Sequence, residues 1–195
     1  MKLTQTDLPQ EVIEEIAGHY SRILTLIGED PMREGLRDTP MRAAKALSFI
    51  TSGYRTNLDE VVGNALFSTT SSGMVIVKDI EFYSLCEHHI LPFFGKVSIG
   101  YFPGHKIVGL SKVARVVDAL ARRLQVQEQL TEQLAQELYR LIKDCKGVAV
   151  RCEARHMCMM MRGVEKQESS TVTVASSGCF TDESGLMQQF LNLVG

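Results

Sequence analysis

The segment SLCEHHILPFF, residues 84–94, lies between two stretches with the pattern of β-strands. Residues 75–83 begin with VIV and end with FY, and residues 96–101 alternate polar or small residues with Val, Ile and Tyr, which is the period of a strand. Within the segment, Cys86 and His89 are three residues apart. One local turn can therefore aim a sulfur and an imidazole at the same point, as zinc ligand pairs are commonly presented.

Two helices and two further strands are predicted after this segment. The first helix has Ser111 as its expected N-cap, and the second carries an apolar stripe through residues 130–142. Strand periodicity resumes at Gly147. Alternate residues then share one strand face: Val148, Val150, Cys152, Ala154, His156 and Cys158. Residues 170–175 form the last predicted strand, and Asp182 is expected to cap a short C-terminal helix.

The order strand, strand, helix, helix, strand, strand indicates an α+β fold rather than the alternation of a parallel α/β fold. It predicts an antiparallel four-stranded sheet with two helices on one face. Such a sheet has two open edges, and pairing those edges in a homo-oligomer would remove the risk of uncontrolled association.

A helical N-terminal region precedes the sheet. Its first predicted helix is capped by Asp7 and ends at Gly28, and its second has Thr39 as N-cap, a proline at the first helical position and an end near Gly53. The polar run at residues 68–73 is the expected boundary. The sequence therefore predicts an N-terminal region of residues 1–73 and a main domain of residues 74–195.

The composition is that of a globular protein, with 195 residues and a formal net charge of −2. That charge excludes an overall cationic field and argues against broad nucleic-acid binding. The N-terminus has no secretory pattern, and no stretch approaches the run of about 18 apolar residues that a membrane span needs. The five cysteines form no framework typical of secreted proteins, so we expect a cytoplasmic protein with reduced thiols.

Three residues, Cys86, His89 and Cys158, can provide the ligands of an open zinc site. A fourth position left to water would suit hydrolysis, because zinc lowers the pKa of bound water to about 7. One alternative adds Cys152 from the same strand face as a fourth ligand, which would make the site closed and structural. The other alternative is that these residues are buried thiols and a core histidine that lie apart.

His88 and His156 lie next to or near the proposed ligands without being required as ligands. Beside a metal site, an imidazole can transfer protons around neutral pH. The alternative is that both histidines only orient the ligands.

Basic residues are paired on predicted helix faces, Arg42 with Lys45 and Lys112 with Arg115, and Arg162 follows the second half of the metal motif. A phosphate-binding cluster is one interpretation, and solvated helix faces are the default. Gln127 and Glu128 begin a helix, where a carboxylate interacts favourably with the helix dipole. The functional alternative is that they accept two adjacent N–H groups of a purine-like ring.

Together these segments resemble the GTP cyclohydrolase I family. The matching pieces are Asp38-Thr39-Pro40-x-Arg42-x-x-Lys45, Ser84-x-Cys86-Glu87-His88-His89, Gly109-Leu110-Ser111-Lys112-x-x-Arg115, Gln125-Val126-Gln127-Glu128, and His156-x-Cys158 with Arg162-Gly163. The resemblance implies a tunnelling fold (T-fold), in which subunits assemble into a barrel, and a homodecamer with active sites shared between subunits. It also implies hydrolysis of GTP at carbon 8 of guanine to give formate and 7,8-dihydroneopterin triphosphate, the first step of tetrahydrofolate and pterin biosynthesis.

The resemblance also implies a role for each matching residue. Cys86, His89 and Cys158 would bind one Zn²⁺ per subunit, His88 and His156 would move protons, and Ser111 would contact the ribose. Gln127 and Glu128 would hold the guanine, while Arg42, Lys45, Lys112, Arg115 and Arg162 would hold the triphosphate. Two alternatives are a T-fold reductase that acts on a deazaguanine nitrile, which needs a nucleophilic cysteine, and a non-catalytic scaffold with a closed zinc site.

Overall fold

The computed structural model describes residues 8–195, and its N-terminal region is a pair of packed helices. These helices are α1 (Gln10–Leu26) and α2 (Thr39–Ile50). They enclose a small apolar cluster separate from the main core, formed by Ile13, Ala17 and Ala44. Helix α1 ends as predicted, because Gly28 adopts the left-handed conformation and the backbone N–H of Glu29 donates to Leu24, as in a Schellman motif. The expected cap Asp7 lies outside the described residues.

The boundaries of α2 differ from the prediction. Its N-cap is Asp38, so Thr39 already lies inside the helix. The helix ends at Ile50, and Gly53 lies in a separate 3-10 helix, Ser52–Arg55. Gly53 is needed there because a β-carbon would lie 2.1 Å from the carbonyl oxygen of Ala119. This close approach fixes the N-terminal helices to the main domain.

A short connection joins the two parts of the chain. It contains α3 (Leu58–Val62) and β1 (Leu66–Ser68), and β1 pairs antiparallel with β4 (Lys106–Val108). The buried side chains of α3 belong to the main core. The predicted boundary at residue 73 therefore lies after α3 and β1 in the sequence, although both elements contact the main domain.

The main sheet has five strands in the order β5-β2-β3-β6-β7 within the described chain. The strands are β2 (Val75–Cys86), β3 (Pro92–Phe102), β5 (Leu124–Gln125), β6 (Gly147–His156) and β7 (Thr171–Gly178). The four long strands are antiparallel, as predicted. The prediction of a four-stranded sheet was wrong by one strand, since β5 pairs parallel with the end of β2. A two-residue strand is too short to have a periodicity that a sequence could reveal.

Two helices cover one face of this sheet, as the α+β prediction required. They are α4 (Leu110–Ala121) and α5 (Gln127–Leu141), and their apolar stripes meet alternate residues of the strands in the core. The N-cap of α4 is Gly109, so Ser111 lies in the first turn and the prediction that it caps the helix was wrong. No helix in the described residues has the length and apolar character needed to cross a membrane.

The C-terminal helices pack on the other face of the sheet. They are α7 (Cys179–Asp182) and α8 (Ser184–Val194), so Asp182 ends a helix instead of capping one. Phe190 of α8 is fully buried and packs beside Gly100 of β3, where an added β-carbon would lie 2.7 Å from its ring. The absence of a side chain at Gly100 therefore allows α8 to lie against the sheet.

Candidate active site

The connection between β2 and β3 is a tight turn that presents two ligand side chains. The N–H of Cys86 donates to Leu91 at 2.8 Å, and the N–H groups of His89 and Ile90 both donate to the carbonyl of Cys86. Ile90 has a φ of 55°, which reverses the chain direction. The turn is further fixed by the N–H of Glu87, which donates to the carbonyl of Gln125 in β5 at 3.1 Å.

The ligand atoms of Cys86, His89 and Cys158 all lie within 4.8 Å of one another. The Sγ of Cys86 is 4.0 Å from Nδ1 of His89. Cys86 is buried, Cys158 is half-buried and His89 is exposed, so the group opens to solvent on one side. Two sulfurs and one imidazole nitrogen are ligands that zinc prefers. The two halves of the motif, 69 residues apart from His89 to Cys158, thus meet in one chain.

Cys158 lies in a helical turn after β6, and the sequence did not predict this turn. Strand β6 ends at His156, and Cys158 lies in the helical turn α6 (Met157–Met160). The expectation that His156 and Cys158 project from one strand face was therefore wrong. Burial raises the pKa of the Cys158 thiol, as does the neighbouring Cys86, whereas the positive charge of Arg162 opposes the shift. A bound cation would favour the thiolate forms, and its binding would release protons.

Cys152 lies in the core and not with the ligands. Its side chain is fully buried, its sulfur contacts the hydroxyls of Thr131 and Thr173, and burial raises the pKa of its thiol to about 12. In the described part of the chain, the group of potential metal ligands does not include it. The alternative of a closed site with Cys152 as fourth ligand is therefore not supported.

His88 lies at the rim of the ligand group. Its Nδ1 is 3.7 Å from the Sγ of Cys86, and its Nε2 is 3.9 Å from a carboxylate oxygen of Glu87. The side chain is 63% exposed, which leaves it accessible to a bound molecule.

His156, two residues before Cys158, is held by Phe93 and Gln127. Its ring stacks on Phe93, with the centroids 4.6 Å apart and the planes at 2°, and its Nε2 lies 2.8 Å from Oε1 of Gln127. Burial lowers the pKa of His156 below its usual value, and the negative charge of Glu128 opposes that shift. Burial therefore favours the neutral form of the ring, while the stacking on Phe93 and the contact with Gln127 hold it in place.

Gln127 and Glu128 are adjacent in sequence but have different environments. Gln127 is 1% exposed, and its side-chain nitrogen lies within hydrogen-bond distance of the Cys152 carbonyl, the Thr171 carbonyl and the Thr173 hydroxyl. The side-chain amide of Gln127 is thus fully engaged within the protein, whereas Glu128 is exposed. Of this pair, Glu128 has the exposed side chain, and the predicted role of Gln127 in holding the guanine stays a prediction.

The predicted basic residues lie in three parts of the chain, on α2, on α4 and after Met160. Arg162 is exposed and acts electrostatically on Cys158. Lys112 lies in the first turn of α4 and donates to the carbonyl of Val61 at 2.7 Å, and Ser111 lies in the same turn. The last turn of α4 leads into β5, beside Cys86, and a helix of 12 residues is about 18 Å long. Ser111 and Lys112 therefore lie at the end of α4 that is away from the ligand group of their own chain, and Arg115 lies near the middle of the helix.

Arg42 and Lys45 lie on α2, outside the main core. Both side chains are exposed, and Arg42 pairs with Asp38 at 3.8 Å. The residues that the sequence did not single out are Phe93, Thr131 and Thr173, which contact His156 or Gln127. Each has an ordinary strand or helix pattern, so no sequence signal separates these residues from the rest of the core.

Comparisons with known proteins show the family of this chain. A family model described as GTP cyclohydrolase I matches residues 16–195. A protein named GTP cyclohydrolase 1 1 from Pseudomonas aeruginosa is 56% identical over 180 residues, which cover 92% of this chain and 96% of that protein. A protein named GTP cyclohydrolase 1 from Chromohalobacter salexigens is 53% identical over 181 residues, which cover 93% of this chain and 98% of that protein. A solved apo structure of an archaeosine synthase QueF-like protein matches 56% of this chain and 97% of its own, with a TM-score of 0.44 and 20% identity.

Proposed function

Because this chain belongs to the GTP cyclohydrolase I family, we propose that it hydrolyses GTP at carbon 8 of guanine, releases formate and forms 7,8-dihydroneopterin triphosphate. The observation that carries this proposal is the convergence of Cys86, His89 and Cys158 within 4.8 Å, with His156 two residues from the last of them. A metal ion bound by these three residues, with two histidines nearby, would suit the hydrolysis of a carbon–nitrogen bond.

The donor atoms fit one Zn²⁺ per subunit. Two thiols and an imidazole are three of the four ligands that zinc takes, and the exposed side of the group leaves the fourth position to water or substrate. When bound, zinc would act as a Lewis acid and lower the pKa of water. Cys86 and Cys158 are both engaged in this group, so neither is left as the independent nucleophile that the nitrile reductase alternative needs.

The two histidines move protons as the imidazole portion of the guanine ring opens. His88 is exposed at the rim, where it can rotate toward a bound ring and exchange protons with solvent. His156 is fixed by Phe93 and Gln127 and works from a single position. One accessible imidazole and one fixed imidazole can donate and accept protons in different steps.

The guanine is oriented by Glu128. Its exposed carboxylate, in the first turn of α5, has two oxygens that can accept the two adjacent N–H groups on the pyrimidine edge of guanine. It lies close enough to His156 for its charge to act on that ring. Gln127 contributes from within the protein, by holding His156.

The triphosphate is held by basic residues from more than one subunit. Arg162 lies close enough to Cys158 for its charge to act on that thiol within its own chain. Ser111 and Lys112, in the first turn of α4, and Arg115, near its middle, would come from a neighbouring copy, with Ser111 contacting the ribose. Arg42 and Lys45, exposed on α2, complete the positive surface. A protein with a net charge of −2 has to gather such charge locally to bind a triphosphate.

This division of the site requires a homo-oligomer. The sheet ends at β7 on one side and at the very short β5 on the other, and pairing of these edges between copies would close T-fold subunits into a barrel. By family resemblance the assembly is a homodecamer, two stacked pentamers. The five free thiols accord with the proposed cytoplasmic location.

The proposal is tested by incubating the purified protein, with its zinc content measured, with GTP. We expect a pterin chromophore and one formate for each GTP consumed. Absence of both products from an assembled protein with full zinc occupancy would refute the proposed function.

A further inference from the structure

We propose that Gln127 is a positioning residue whose side-chain amide fixes the orientation of the His156 ring and the place of the hydrogen on its Nε2. The kinetic test of this role rests on the proposed function, whereas the hydrogen-bond assignment stands on the geometry alone. It gives Gln127 a role inside the protein that differs from holding the guanine.

The orientation of the Gln127 amide is determined by its surroundings. One end of the amide faces the carbonyl oxygens of Thr171 at 2.9 Å and Cys152 at 3.3 Å. Carbonyl oxygens only accept hydrogen bonds, so this end must be the NH₂ group. The amide oxygen then faces Nε2 of His156 at 2.8 Å. An amide oxygen also only accepts, so Nε2 must carry the hydrogen.

The threonine hydroxyls reinforce this assignment. Thr131 Oγ1 donates its single hydrogen to the backbone carbonyl of Gln127 at 2.7 Å, because that carbonyl can only accept. Thr131 and Thr173 hydroxyls are 2.6 Å apart, so Thr173 must donate to Thr131. The Thr173 oxygen is left as an acceptor for the Gln127 NH₂ group at 3.2 Å. The two hydrogens of the Gln127 NH₂ group therefore face three acceptors, which supports the assignment of the NH₂ group to this end of the amide.

The ring of His156 has little freedom to escape this arrangement. It stacks in parallel on Phe93, its register neighbour across β3 and β6. A flip of the ring would bring a carbon atom against the amide oxygen of Gln127 and leave a buried acceptor without its donor, which is costly. The network accommodates the neutral ring with hydrogen on Nε2 and the doubly protonated ring, and it excludes the neutral ring with hydrogen on Nδ1.

The tautomer is measured by ¹⁵N NMR of sedimented, zinc-loaded protein with ¹⁵N-labelled histidine. The His156 signals are assigned by their absence from His156→Asn. At a pH where the ring is neutral, we expect a protonated Nε2 and an unprotonated Nδ1 in the wild type, and a mixture of tautomers in Gln127→Leu. A wild-type ring with hydrogen on Nδ1 overturns the proposal without any need for the variant to fold.

Kinetics provide the second readout. We expect Gln127→Leu to lower kcat by about 10- to 100-fold, as for other residues that orient a catalytic group, with KM for GTP and zinc content little changed. The control is Ser98→Ala, because Ser98 is also buried and its hydroxyl oxygen accepts from the N–H of Asp79, six residues along β3 from the start of that strand at Pro92. We expect the control to keep the wild-type kcat and tautomer.

The outcomes separate the two proposals. An equal loss of kcat in Gln127→Leu and Ser98→Ala, or a change in the KM for GTP alone in Gln127→Leu, would contradict a positioning role. If the wild-type protein did not turn over GTP, the proposed function would fail, whereas the histidine spectra would still decide the hydrogen-bond assignment.

Discussion

Replacement of Cys158 by serine tests whether the ligand group holds the metal. Cys158 supplies one of three ligand atoms that lie within 4.8 Å of one another, from a helical turn that follows β6. Serine retains the size and the turn but offers a hydroxyl, which is a poor zinc ligand because it does not ionise near neutral pH. We expect Cys158→Ser to lose zinc and GTP turnover together while remaining folded.

The size of the effect follows from the number of ligands. Structural zinc sites with four protein ligands bind with about 10–16 kcal/mol, or roughly 3 kcal/mol per ligand. Loss of one of three ligands should then weaken zinc binding by about 3 kcal/mol, which is roughly 100-fold. The wild-type protein should keep stoichiometric zinc, whereas the zinc content of Cys158→Ser should decrease on dialysis.

The assay is the zinc content of purified protein after dialysis against a weak chelator, with Cys152→Ser as the matched control. Cys152 is fully buried against Thr131 and Thr173, so its replacement should lower the free energy of unfolding by about 1–2 kcal/mol and leave zinc bound. Retention of zinc by Cys158→Ser, or loss of zinc from Cys152→Ser, would refute the assignment of the ligand group.

Three further substitutions have distinct expected outcomes. His156→Ala should keep zinc and lose at least about 100-fold in kcat, as expected for a proton-transfer group; loss of the metal as well would make His156 a ligand. Glu128→Gln should raise KM for GTP and lower kcat/KM by about 10-fold or more, since an amide cannot accept both guanine N–H groups; unchanged kinetics with GTP would contradict its role. Gly100→Ala should lower the free energy of unfolding by about 1–3 kcal/mol in denaturant titrations, because its β-carbon would lie 2.7 Å from the Phe190 ring. The control is Gly185→Ala, where the β-carbon has open space. Equal stability of the two variants would contradict the packing of Phe190 on Gly100.

Much of the fold could be predicted because its elements have clear periods. The alternation in β3 and β6 and the apolar stripes of α4 and α5 predicted the antiparallel α+β architecture, and the family resemblance is confirmed by a match over residues 16–195. The helix ends were less accurate, because caps depend on local backbone conformation. Gly109, with no capping side chain, is the N-cap where Ser111 was expected.

The meeting of the two halves of the site could not be derived from spacing. It depends on the register of β3 with β6, which pairs Phe93 with His156 and so brings the segment after β6 beside the turn before β3. Register in a long antiparallel pair is set by packing over the whole strand face. The helical turn that directs Cys158 to the group is likewise too short to have a detectable pattern.

The role of Gln127 depends on contacts that no local pattern records. Its partners lie 25 to 46 residues away in sequence, on β6 and β7. At the start of a helix, a glutamine beside a glutamate has the pattern of a solvated first turn, yet one side chain is buried and the other exposed. Burial of this kind follows from the tertiary packing of α5 on the sheet.

The most direct test of the proposed function is the identity of the product that zinc-loaded protein forms from GTP. We expect 7,8-dihydroneopterin triphosphate and formate in equal amounts, with turnover abolished by removal of zinc and restored by its return. Production of neither compound by fully loaded, assembled protein, or equal turnover with and without zinc, would contradict the assignment.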